Sequence, residues 1–256
     1  MYENLLVDTY NQIKSKFTFP LEEFEVVKLV HDYRMYWKPS KVKVLLLAES
    51  HVFTDKSLTN LKFDLNKVDI QNLPLFSNLS CPSEHVNFVY CLSYGASCIL
   101  EEAKKDYGTQ LRKNTGTPQF WKLFNETVFS KYHIVNNYNQ KNKLEEKINL
   151  LNEMRESGIW LLDTSIVGIY QEGIKPSSEE YELILQSSFK GYCLPIIKDL
   201  MPDSIIVIGK SVYDILSREL NSLEIKVDWI HQPNARVRQE QRRTYKNTIL
   251  KNTTDY

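Results

Sequence analysis

The chain has 256 residues, of which 42% are hydrophobic and 25% charged, an ordinary globular balance with ample length for a sizeable core. Its 32 basic residues match 32 acidic ones, so the net charge is zero and any nucleic-acid surface must be a local patch. Met1–Lys16 is polar and amphipathic and lacks the continuous apolar stretch of a signal peptide, and no apolar run approaches the length of a membrane span. The expectation is a cytoplasmic monomer with no membrane partner, no metal and no cofactor.

The four cysteines, Cys81, Cys91, Cys98 and Cys193, form no C-x-x-C pair, so a zinc ribbon is disfavoured and buried free thiols are expected. Along the chain, residues 21–37 carry an apolar stripe (Leu21, Phe24, Val27, Leu29, Val30, Tyr33) and read as a helix that Pro39-Ser40 ends. Val42–Ala48 is a short, continuously apolar run, the pattern of a central buried strand. Residues 54–83 read as irregular, about 84–105 as helix, and Pro118 as the start of another. The charged segment 141–156 reads as a surface helix. Ile159–Leu162 is a second strand, 178–199 a helix, Ser204–Ile208 a third strand and Ile225–Ile230 a fourth. One helix is expected between the last two strands, to about 220, and a final one over about 236–250.

Strands alternating with helices predict an α/β fold, a three-layer α/β/α sandwich around a mainly parallel four-stranded sheet. The whole of 1–256 reads as one domain, with an N-terminal helical extension over about 1–40. In such sheets function gathers beyond the carboxyl ends of the strands. Four of these ends carry polar or glycine residues: Glu49-Ser50-His51, Asp163-Thr164-Ser165, Gly209-Lys210 and His231-Gln232. Each alone reads as a turn or cap. Four at one edge predict a site.

The ordered set resembles the uracil-DNA glycosylase superfamily over about 42–250. Ala48-Glu49-Ser50-His51-Val52 stands where that family keeps its water-positioning motif, and Leu161-Leu162-Asp163-Thr164 where a strand-end Asn reads the base. Val207-Ile208-Gly209-Lys210 matches a further strand end, and His231-Gln232-Pro233-Asn234-Ala235-Arg236 the loop whose histidine stabilises the departing base. Leu75-Phe76-Ser77 is similar to the segment that stacks an aromatic ring on the extruded base. The resemblance implies a DNA glycosylase that flips a base from DNA and cleaves its N-glycosidic bond, in base-excision repair or antiviral defence. The departures are Ala48 for Gly, His51 for Pro, and Ser50 where the family places its catalytic Asp or Asn. Glu49 is then the nearest carboxylate for orienting water, with a structural role in the turn as the alternative, and Ser50 or His51 could serve instead.

Asp163 replaces the base-reading Asn. An ionised Asp only accepts hydrogen bonds and suits the cytosine N4 amino group, while a buried Asp163 that kept its proton would also donate to N3. Val52 stands where strict uracil enzymes have tyrosine, and its smaller side chain implies room for a 5-substituted cytosine. His231 is the expected donor to the leaving base, and Phe76 the stacking ring, with a core position as the alternative for Phe76. Lys210, Asn234, Arg236 and Arg238 are candidate DNA contacts. Two rival readings remain: a catalytically inactive nucleic-acid-binding module of the same fold, and a nucleoside- or nucleotide-processing enzyme. No P-loop or G-x-G-x-x-G occurs, which disfavours NTPase or dinucleotide chemistry.

Overall fold

The computed structural model describes residues 2–17, 20–63, 81–96, 99–100, 116–117, 120–121, 140–171, 173–233 and 235. The elements run α1 (Tyr2–Lys16), α2 (Phe24–Tyr36), β1 (Val44–Ala48), a 3-10 turn (Lys56–Asn60), α3 (Gln140–Glu156), β2 (Ile159–Asp163) and α4 (Ser178–Ser188). A π turn (Phe189–Cys193), α5 (Leu194–Leu200), β3 (Ser204–Ile208), α6 (Lys210–Asn221) and β4 (Lys226–Ile230) complete them.

The four strands form one parallel sheet in the order β2-β1-β3-β4, flanked by helices as a three-layer α/β/α fold. Parallel pairing needs a crossover between strands, and the apolar character of β1, β2 and β3 follows, since every residue of these strands is buried. Lys226–Ile230 is more open, with only Ile230 fully buried, as suits an edge strand. The other edge is covered: the Tyr90 hydroxyl accepts from Leu161 N–H at 2.8 Å, and the Arg34 carbonyl accepts from Trp160 Nε1 at 3.0 Å. Capping that edge satisfies donors that burial would otherwise leave unpaired.

Register sets the site. Ala48 pairs with Asp163, Leu47 with Val207, and Ile208 with Ile230, so all four strands end at one level. Beyond it the ladder continues for two bonds, Thr164 N–H to Ala48 O at 2.7 Å and Ser165 N–H to Glu49 O at 2.9 Å.

The N-terminal helices belong to this core. Leu6 and Ile13 of α1 and Val26, Val27 and Val30 of α2 are fully buried. Three expectations change. Residues 84–96 are not helical: they make successive turns in which Val86, Phe88, Tyr90, Cys91 and Leu92 are all buried, leaving no solvent face for a helix to present. The Lys147 ammonium caps these turns, donating to Cys91 O at 2.5 Å and Tyr94 O at 3.1 Å, so α3 is not simply a surface helix. The helix expected over 178–199 is interrupted by the π turn. Pro195 follows directly at the start of α5, where its missing N–H is tolerated. The expected helices after Pro118 and over 236–250 fall mostly or wholly outside the described residues. Among the described residues no helix is long and apolar enough to cross a membrane.

Candidate functional site

A cleft of about 360 Å³ opens where the strand ends meet, lined by Ala48, Glu49, Ser50, Val52, Tyr170 and Gln232 among others. That volume lies within the range of small-molecule sites. A smaller recess of about 70 Å³ shares Ala48, Ser50, Val52, Thr117 and Phe120 with it and reaches inward to His51, Asn87, Phe88 and Asp163. Cleft and recess thus adjoin along the residues that end and follow β1.

Glu49 is the anchor of the outer cleft. Its Oε2 accepts from the Tyr170 hydroxyl at 2.8 Å and from Gln232 Nε2 at 3.1 Å, while Oε1 accepts from the Tyr181 hydroxyl. Three chain segments, after β2, in α4 and after β4, therefore converge on one carboxylate. Gly209 makes this reach possible. Its φ of 120° suits glycine, and a Cβ there would sit 3.3 Å from Gln232 Cγ, which crosses the turn to meet Glu49. Burial and the adjacent Glu49 charge push both tyrosine hydroxyls well above the ordinary phenol pKa, so they stay protonated donors.

Two charged residues line the recess, His51 and Asp163, and they belong to a buried chain of four charges in alternation. Glu22 Oε2 lies 2.7 Å from His51 Nε2, His51 Nδ1 lies 3.8 Å from Asp163 Oδ2, and Arg34 Nη2 lies 2.6 Å from that same oxygen. All four residues are buried. Glu22 also ties three loops, accepting from Thr54 N–H at 2.6 Å and Gly168 N–H at 2.7 Å. Gly168 packs so closely that a Cβ would sit 2.6 Å from Phe53 Cα.

Burial alone would discharge these groups, but each has a partner. Burial lowers the His51 pKa, yet Glu22 and Asp163 outweigh it and hold the imidazole up at about 9, so it is a cation at neutral pH. Burial raises that of Asp163, yet Arg34 and His51 hold its carboxyl below the usual carboxylate value. Of the two alternatives for Asp163, ionised or protonated, these surroundings favour the ionised one. The proton resides on His51, one residue away in space, because Arg34 compensates the Asp163 charge.

Of the other expected residues, Ser50 lines both cavities and its buried Oγ has no hydrogen-bond partner. Val52 also lines both, its backbone bridged to Tyr170. His231 is half-buried and packs edge-on against Trp229 at 5.0 Å, while the next two residues, Gln232 and Pro233, supply the loop's share of the cleft lining. Lys210 is exposed, paired with Asp214 at 2.6 Å, with its ammonium 5.7 Å from the Trp229 ring. Phe76, Asn234, Arg236 and Arg238 lie outside the described residues. Among the described residues Phe88, Tyr94 and Phe120 are the aromatic side chains that line the recess. Cys81, Cys91 and Cys193 are free thiols, and Cys98 lies outside the described residues. Among the described residues no group of three His, Cys, Asp or Glu side chains is arranged to hold a metal ion.

The sequence named Gln232 only as part of the strand-end loop and gave no reason to select Glu22, Arg34, Asn87, Tyr170 or Tyr181. One signal was present for Arg34: Val27, Val30, Arg34 and Trp37 share a helical face, so a charge sits on an apolar stripe and demands a buried partner. No protein-family model and no curated protein matches this sequence.

Proposed function

We propose that this protein is a DNA glycosylase that draws a modified or deaminated base out of the stack and hydrolyses its N-glycosidic bond, leaving an abasic site. The observation that carries this reading is the pairing of two cavities across β1's end: a recess holding ionised Asp163 and the unpartnered Ser50 Oγ, and a cleft holding Glu49. The base occupies the recess between Phe88, Phe120 and Val52, and the sugar lies in the cleft. The ordered resemblance of the strand ends to the uracil-DNA glycosylase superfamily supports the same assignment.

Breaking the bond builds positive charge on the sugar, which a nearby carboxylate stabilises. Glu49 serves as that charge. Its three hydrogen-bond donors hold it in place and engage it, which suits electrostatic stabilisation better than proton abstraction. Ser50 Oγ is left to hold the water. Glu49's engagement also favours a second reading, a DNA-binding module that has lost hydrolysis.

Incubation with oligonucleotides carrying uracil, mismatched thymine, cytosine or 5-substituted cytosines, followed by alkali, separates the two. The glycosylase yields strand breaks at one class of base, and Glu49→Gln lowers that rate ~10²–10³-fold. Retention of DNA without breaks at any base establishes the binding module instead. Base-excision repair and defence against phage DNA containing modified cytosine both use this chemistry.

A further inference from the structure

The recess contains a donor that has an ion-pair neighbour in the folded protein but no hydrogen-bond acceptor. His51 Nε2 is committed to Glu22 at 2.7 Å, whereas Nδ1 has no hydrogen-bond partner and is 3.8 Å from Asp163 Oδ2. A protonated imidazole donates from both nitrogens, so Nδ1–H is a buried, unsatisfied donor beside a buried acceptor carboxylate. Both residues line the recess. Leaving such a donor unpaired costs free energy, which a ligand acceptor at that point recovers.

We infer that the His51–Asp163 pair reads an acceptor–donor edge, the N3 and the exocyclic amine of a 4-aminopyrimidine, and that His51 Nδ1 supplies the proton with which this base departs. Asp163 accepts from the amine while His51 donates to N3. Uracil presents the reverse pattern, N3–H beside O4, and meets two mismatches. The small recess of about 70 Å³, walled by Phe88, Tyr94 and Phe120, favours one ring over two. The recognition stands by itself; the proton transfer rests on the glycosylase reading.

The step balances. The C1′–N1 bond breaks and its electron pair moves into the ring. N3 takes the proton from His51 Nδ1, so the base leaves neutral. Water oxygen bonds to C1′ and gives its surplus proton to solvent, from which His51 is recharged. An aminopyrimidine is a poorer leaving anion than uracil, so it gains more from this proton. The groups facing His51 are Glu22 from the segment before α2, Asp163 from the end of β2 and the Phe88 ring edge, with Arg34 beyond Asp163. Glu22 is a positioning residue: it holds the charge on His51 from the side away from Asp163.

Two measurements on the full chain test this. Binding of 1-methylcytosine and 1-methyluracil, followed by calorimetry, is expected to favour the cytosine analogue at least about tenfold, the worth of one matched pair of hydrogen bonds. Equal or reversed affinities overturn the recognition. The excision rate is expected to fall about tenfold per pH unit above the His51 pKa near 9, and Glu22→Gln is expected to move that limb to lower pH. An alkaline limb unmoved by Glu22→Gln overturns the proton transfer. If that variant does not fold, the wild-type profile decides, since a rate constant through pH 10 overturns it equally. Preferential cytosine binding with no base released from any oligonucleotide refutes the glycosylase reading and the proton transfer, and upholds the recognition.

Discussion

Replacing Arg34 by methionine tests the buried charge chain at its far end. Arg34 and Asp163 have side chains 0% and 3% exposed and meet at 2.6 Å. The intact chain is neutral: Glu22 and Asp163 balance His51 and Arg34. Arg34→Met leaves one uncompensated negative charge in the interior. Removing one partner of a buried pair costs about 3–5 kcal/mol, whereas replacing both by apolar groups is often neutral. For a chain near this size each kcal/mol lowers Tm by about 2–4 °C, so the single variant should melt about 6–20 °C lower. Arg34→Met with Asp163→Leu leaves the Glu22–His51 pair balanced and should recover most of that loss. Chemical and thermal unfolding of the single variants and the double variant completes the cycle. The Asp163 pKa is depressed, so its contribution is present above the ordinary aspartate value of about 3.9 and is lost as pH falls through the folded value. The Arg34→Met deficit should therefore shrink in acid. A loss under about 1 kcal/mol, or a double variant as unstable as the single one, would refute the buried chain.

Further outcomes follow from the same geometry. The His51 pKa is raised, so its stabilisation is complete below about pH 6.5 and is lost as pH rises through about 9; urea unfolding should show wild-type stability falling across that window, and Glu22→Gln losing most of the slope. Gly191→Ala places a Cβ 2.4 Å from Thr9 Oγ1 and should cost about 1–3 kcal/mol, partly relieved by Thr9→Ala, as read from melting temperatures. Ser177 and Glu180 form a reciprocal capping box at the start of α4, so Ser177→Ala should cost about 1 kcal/mol in the same assay and leave the excision rate unchanged.

The strands were legible because parallel sheets buried on both faces demand continuous apolar runs, and Val44–Ala48, Ile159–Asp163 and Ser204–Ile208 are such runs. Their common edge followed from alternation alone, and with it the grouping of Ser50 and His51 with Asp163 in the recess, while Glu49 faces the cleft beside it. The partners of those residues were not legible. Glu22 and Arg34 come from a segment that reads as an amphipathic helix and its approach, and only the third dimension brings them beneath the strand ends. That is also why the sequence left the protonation of Asp163 open: desolvation can be read from a strand-end position, but an arginine 129 residues earlier in the chain cannot. The turns over 84–96 defeated periodicity, since a segment buried on every side has no face to report. Tyr170 and Tyr181 were missed because a tyrosine near a loop carries no signal until its hydroxyl finds Glu49.

The central claim is that a base enters the Asp163 recess and is cut from its sugar. Mass spectrometry of free bases released from DNA rich in 5-substituted cytosine, compared with uracil-containing DNA, tests it most directly. The account predicts a free aminopyrimidine from the wild-type protein and a shift toward uracil with Asp163→Asn. Release of uracil alone by the wild-type protein, or the same base preference in the variant, would contradict it.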